Sequence, residues 1–143
     1  MAGNSQLTVA AHALTWIELH RRIGDGNATS EGIAGSVNTN PVVIRRLLGR
    51  MRDAGLVQSR RGAEAGWVLA RPLEDITLRD VYEAIEPPPL FAMHRSDPNL
   101  GCPIGSGIQP AMRPVYARIE EAVRTELDRI TLADVLRDVL ASR

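Results

Sequence analysis

Apolar residues recur at helical spacing along most of this chain, and the breaks between them mark out a series of helices and one hairpin. Ala10, Ala13/Leu14 and Ile17 set the first period and predict a helix over residues 8–22, with Thr8 as its N-cap. His12, Trp16 and His20 form a second row on it, four residues apart. The run Gly24-Asp25-Gly26-Asn27 breaks the chain. Thr29 or Ser30 then caps a short helix over 31–37 that buries Ile33, Ala34 and Val37. Asn38-Thr39-Asn40 is a polar turn, and Pro41 stands where proline opens a helix, with Asn40 as N-cap. That helix runs to about residue 54, with Ile44, Leu47/Leu48 and Met51 inward and Gly55 as its stop.

The pattern next turns to that of strands. Leu56-Val57-Gln58-Ser59 and Trp67-Val68-Leu69-Ala70 flank Arg60-Arg61-Gly62-Ala63-Glu64-Ala65-Gly66, a loop with two glycines, and predict a hairpin. Helix, short turn, helix and hairpin with an arginine-rich tip is the element order of a winged helix-turn-helix. Past Pro72, Thr77 with Asp80 makes an acidic variant of the capping box, and the helix it opens ends before Pro87-Pro88-Pro89. Residues 87–109 show no period and contain Cys102; so long an irregular stretch is usually functional or disordered. From Pro110 a helix carries Val115/Tyr116, Ile119, Val123, Leu127 and Ile130. A last helix opens at Thr131 and buries Leu132, Val135, Leu136 and Val139. Ile76-Thr77-Leu78-Arg79-Asp80-Val81 and Ile130-Thr131-Leu132-Ala133-Asp134-Val135 read as one cap chemistry used twice, too short to signal duplication. The fold class predicted is mainly α with a small β-hairpin (α+β).

Charge changes the picture once it is sorted by position. The 143 residues carry 17 basic and 17 acidic side chains and a formal net charge of zero, which argues against a nucleic-acid binder. All the basic residues are arginine, and residues 1–71 hold nine of them against five acids, while residues 72–143 hold eight against twelve. The two parts therefore carry about +4 and −4. Six arginines and a single acid, Asp53, fall between Arg45 and Arg61. One cysteine excludes an intrachain disulfide and a CxxC-type zinc site. No apolar run approaches a membrane span and no signal pattern opens the chain, so the reducing cytoplasm is the expected compartment, without a membrane partner.

On the helix from Pro41, Val42, Arg45, Arg46 and Arg50 occupy the faces that the apolar row leaves free. Like charges four residues apart cost a helix about a few tenths of a kcal/mol, so the stripe does not serve helix stability. A guanidinium fork fits guanine in the major groove and also binds phosphate. Arg60 and Arg61 at the hairpin tip suit the minor groove or the phosphates beside it. The plain alternatives are a solvated helix face and a tip charged for solubility. Trp67 reads as a packing aromatic, and His12 and His20 as packing or surface residues. No nucleophile–base pair, phosphate loop or metal-ligand cluster supports an enzyme.

The stretch from Ile44 to Ala70, with its Leu-x-x-Met-Arg-Asp-Ala-Gly-Leu-Val-x-Ser-x-Arg-Gly core and Gly66-Trp67, resembles the Rrf-two family of bacterial transcription regulators. The likeness extends to the first helix, to Ile76 through Val81 and to the long penultimate helix. It implies homodimers in which the long helix crosses its partner, a roughly palindromic double-stranded operator, and contacts from Asn40, Val42, Arg45, Arg46 and, in the wing, Arg61. The organisation expected is a DNA-binding domain over 1–86, an effector or sensor loop over 87–109 and dimerisation helices over 110–143. Many members have Glu-Gln where this chain has Arg45-Arg46, and Gly-Gly-Tyr where it has Ala65-Gly66-Trp67, so its operator should differ from theirs.

Cluster-binding members place three cysteines in the region of residues 90–107, where this chain has Cys102 alone. Iron–sulfur clusters are held mostly by several thiolates, so no cofactor and no metal are expected; a mixed site of Cys102, His94 and Asp97 across a dimer is the remote alternative. The single-cysteine pattern resembles a cluster-free branch of the family. Cys102 precedes a helix whose N–H groups favour the thiolate, which suits a sensor of oxidants, electrophiles or another small effector. The bland reading is a small apolar residue packed on the long helix. The function expected is a sequence-specific, repressor-type DNA-binding regulator; the rival is a winged-helix module that docks proteins through the same basic stripe.

Overall fold

Six α-helices and a two-stranded hairpin follow one another in the computed structural model, which describes residues 4–24 and 26–142. Helix α1 (Gln6–Ile23) buries Ala10, Ala13, Leu14 and Ile17, the row its spacing predicts, but it starts earlier, so Thr8 lies inside it. Gly24, in the left-handed region at φ 68°, ends it; Asp25, in the predicted turn, lies outside the described residues. Helix α2 (Ser30–Val37) is capped by Thr29, whose hydroxyl accepts from the Gly32 N–H at 3.0 Å. Helix α3 (Pro41–Asp53) opens on Pro41 behind the Asn40 cap and buries Ile44, Leu47, Leu48 and Met51. Burying such side chains contributes about 1.5–3 kcal/mol each, which seats α3 firmly against the remaining core. Gly55, at φ 80°, turns the chain into the hairpin.

The strands are β1 (Val57–Arg60) and β2 (Gly66–Leu69), paired antiparallel with Val57 opposite Leu69 and Arg60 opposite Gly66. The wing has a third, one-residue edge that the sequence does not announce. Ala28 bridges Trp67, and the Trp67 N–H donates to the Ala28 carbonyl at 2.7 Å. Gly66 makes this approach possible: at φ 148°, its added Cβ would stand 2.7 Å from that same carbonyl oxygen. Trp67 packs on the core, and its indole N–H donates to the Ser30 hydroxyl at 3.1 Å.

Helix α4 (Leu78–Ala84) and helix α6 (Leu132–Ala141) each begin with a complete capping box, Thr77 with Asp80 and Thr131 with Asp134. α6 buries Leu132 and Leu136 and packs on α1, whereas Val135 is half-buried and Val139 exposed, contrary to the expectation that all four are inside. Between them lies α5 (Pro103–Leu127), which starts seven residues before the predicted Pro110. Pro103 takes the first-turn position, and Pro110 and Pro114 lie inside the helix, both exposed. Each removes one backbone donor, and water can serve the carbonyl left over. The irregular segment is correspondingly shorter than the 87–109 read from the sequence and ends at Cys102. None of the α5 residues is buried.

Candidate nucleic-acid interface

The two helices α2 and α3 are joined by Asn38, in the left-handed region at φ 67°, and the short polar turn that follows. This connection sets α3 across the front of the domain with its apolar face inward. Asn40 Oδ1 accepts from the Val42 N–H at 2.8 Å, so this side chain is partly committed to capping. Val42, Arg45 and Arg46 all stand exposed on the outer face. Arg46 makes no ion pair among the described residues. Arg45 does: its Nη1 lies 3.2 Å from Glu31 Oε1, in the first turn of α2. Sequence spacing could not find Glu31, because the pair crosses the turn between two helices.

Arg50 has a different setting from the other arginines of the stripe. It is half-buried, and its Nη1 donates to the Ile85 carbonyl at 2.8 Å, at the carboxyl end of α4. A cation there also meets the negative end of the helix dipole. In the wing, Arg60 reaches Glu64 at 3.7 Å across the tip turn, while Arg61 is exposed and free of ion pairs among the described residues. Val42, Arg45, Arg46, Arg60 and Arg61 thus stand in solvent on α3 and the wing, and Arg50 joins α3 to α4.

Behind this face, α1 carries a buried carboxylate. Glu18 accepts from Arg21 at 2.9 and 3.0 Å and from Arg22 at 3.0 Å, and the Arg21 guanidinium leads in holding its pKa below the usual carboxylate value. His12 hydrogen-bonds Ser36 at 2.8 Å, and His20 stacks on Trp16 with ring centres 4.2 Å apart, so both serve packing.

The segment before α5 is folded onto that helix. Leu90 N–H donates to Glu120 at 3.1 Å, Phe91 stacks on Tyr116 with centroids 4.9 Å apart, and His94 meets Gln109 at 3.2 Å. Cys102, half-buried, is the N-cap of α5. Its side chain makes no capping hydrogen bond, but the backbone N–H groups of Gly105 and then Ile104, in the first turn of α5, hold the thiol pKa below the ordinary value. On the other side, Arg124 ties α5 to α4 by lying 3.6 Å from Glu83 and over the Tyr82 ring.

The Rrf2 family model, described as an iron-dependent transcriptional regulator, matches residues 4–138. YwnA of Bacillus subtilis, by name an HTH-type transcriptional regulator, is 40% identical over 134 residues, covering 93% of this chain and 96% of its own length. The HTH-type transcriptional regulator CymR of the same organism is 32% identical over 121 residues, covering 83% and 79%. Among solved structures, the oxidised form of Staphylococcus aureus CymR superposes with a TM-score of 0.66 at 25% identity, over 95% of this chain and 96% of that one. These relatives are regulators, not enzymes. Cys102 is the sole cysteine, His94 is turned to Gln109, and among the described residues no three His, Cys, Asp or Glu side chains gather to hold a metal. With a winged helix-turn-helix and relatives that match nearly from end to end, the chain belongs to the Rrf2 family of DNA-binding transcriptional regulators.

Proposed function

We propose that this protein acts in the cytoplasm as a homodimeric repressor on a palindromic double-stranded operator. Arg45 and Arg46 read bases in the major groove, Val42 and Asn40 lie against the same groove, and Arg60 and Arg61 hold the flanking backbone from the wing. The observation that carries this reading is the exposure of Val42, Arg45 and Arg46 on one face of α3 with Arg61 on the neighbouring wing, in a chain of zero net charge. With no overall attraction to DNA, affinity rests on these few arginines. For the dimer, the support is α5: 25 residues, about 37 Å of helix, with Ile104 and Ile119 exposed and no residue buried. An apolar groove between α1 and α6, lined by Leu7, Trp16, Leu19, Leu136 and Val139, adds further surface for a second copy.

Binding to a library of symmetric duplexes with a randomised centre tests the proposal. Wild type should select a two-fold sequence. Arg46→Ala should weaken binding and relax preference at one base pair per half-site. Arg61→Ala should weaken binding to all sequences and flatten the salt dependence by about two units of slope, one per half-site. Binding without salt sensitivity, or intact in both variants, rejects it. A monomer at the concentrations that bind DNA rejects the dimer.

A second element of the proposal concerns Cys102, supported by its position where the irregular segment meets α5, at the helix N-terminus whose N–H groups lower the thiol pKa. The thiolate sulfur attacks one oxygen of a peroxide and the O–O bond breaks. The other oxygen leaves and takes a proton from solvent, and the sulfur, oxidised by two electrons, becomes a sulfenic acid. No cofactor takes part. DNA release by peroxide that persists in Cys102→Ser rejects the thiol switch, and visible iron–sulfur absorption of the purified protein rejects the cofactor-free reading.

A further inference from the structure

Of the two adjacent arginines on the outer face of α3, Arg46 is untethered and Arg45 is held by Glu31. The pair joins the two helices of the helix-turn-helix at 3.2 Å, with the side chains 50% and 69% exposed. So exposed an ion pair contributes little to stability. Its charge also lies on the wrong side for affinity: a carboxylate on the face that approaches DNA repels phosphate. An acid in the first turn of α2 suits the helix dipole, but that role needs no bond to Arg45, so the bond itself is explained by what it does to its partner. Glu31 occupies only Nη1 of Arg45, and no bond ties the remaining guanidinium N–H groups among the described residues. One carboxylate bond restrains the long side chain and leaves N–H groups to donate to a base.

We infer that Glu31 is a specificity-determining residue of the DNA-binding face. It fixes the Arg45 fork over one base pair and penalises use of that arginine as a mobile phosphate contact. This rests on the reading of α3 as the major-groove element. A guanidinium free to swing binds any phosphate in reach, whereas one held in place rewards only a base that presents acceptors there. Glu31 is therefore a positioning residue, acting through Arg45 rather than by a contact of its own.

The test uses the full-length protein and a pool of duplexes with a randomised two-fold centre, followed by binding to the best selected duplex and to a scrambled one. For Glu31→Gln, affinity for the scrambled duplex should rise about threefold, and its salt slope should steepen by up to about two units as the Arg45 of each copy turns to phosphate. Preference at one base pair per half-site should fall at least about fivefold, with other positions unchanged. Arg45→Ala should erase preference at that same base pair, and the base preference of the double variant should match that of Arg45→Ala alone. A Glu31→Gln selection profile identical to wild type overturns the inference. So does a uniform loss of affinity, which is what a defect at the start of α2 would give. If Arg45→Ala changes no position of the profile, the reading of α3 itself fails, an outcome distinct from a silent Glu31 variant.

Discussion

Thr77 and Thr131, fifty-four residues apart, face each other across an isolated antiparallel bridge. The N–H of Leu78 donates to the Ile130 carbonyl and that of Leu132 to the Ile76 carbonyl, both at 2.8 Å. Each threonine also caps its own helix. The similar hexapeptides around them are therefore two helix starts clasped back to back, and they anchor α6 to the domain after the excursion through α5.

Removing one cap should loosen that clasp. Thr131→Ala is expected to lower stability by about 1 kcal/mol, as loss of an N-cap typically does. Thr77→Ala should do likewise, and the double variant should lose less than the sum of the two. Chemical denaturation of the three variants measures this; strict additivity would show that the caps act independently.

Arg50 and Arg46 should separate cleanly. Arg50→Ala leaves the carbonyl of buried Ile85 without its donor, so unfolding free energy should drop by about 1–3 kcal/mol. Arg46→Ala should leave the melting transition almost unchanged and weaken DNA binding. Equal effects of both on binding with no effect on stability would return Arg50 to the DNA-contacting stripe.

Gly66→Ala should be among the most damaging single-atom changes in the wing. The new Cβ meets the Ala28 carbonyl at 2.7 Å, and φ 148° disfavours any side chain. The expected loss exceeds about 1 kcal/mol, accompanied by a red shift of Trp67 fluorescence as its indole leaves Ser30. An unshifted spectrum in a destabilised protein would place the damage elsewhere.

The acidity of Cys102 sets a pH window. Its thiolate is favoured in the folded chain, so the midpoint of alkylation by iodoacetamide should lie below that of an ordinary thiol. The sign for stability follows: the contribution is complete above the unfolded thiol pKa and is lost as pH falls through the folded one. Gly105→Ala tests the cause. A Cβ at Gly105 would collide with the Asn99 carbonyl and disturb the turn that carries the Gly105 N–H, so the alkylation midpoint should move up toward the free-thiol value.

Much of the fold was legible because it depends on local patterns. The inward row of α3, the Asn40 cap, the Gly55 stop and both capping boxes are properties of short segments, and the structure contains each of them. Ala28 was not legible: a one-residue bridge has no alternation to detect, and its sign was only the glycine opposite. The start of α5 was hidden because its first turns hold Gly105 and Gly107 and lack the apolar row that begins at Val115, and Pro110 looks like a beginning. Arg50 shares the i, i+4 spacing of the stripe, but its partner at Ile85 is 35 residues away. Glu31 likewise depends on tertiary contact with α3.

The bridge between Ala28 and Trp67 has a mechanical meaning. It fastens the wing to the residues that immediately precede α2, while Trp67 reaches Ser30 within that helix. Wing and recognition helix consequently form a single tool with a fixed gauge. Bending one against the other would cost the Ala28–Trp67 bridge, so the two move as one piece.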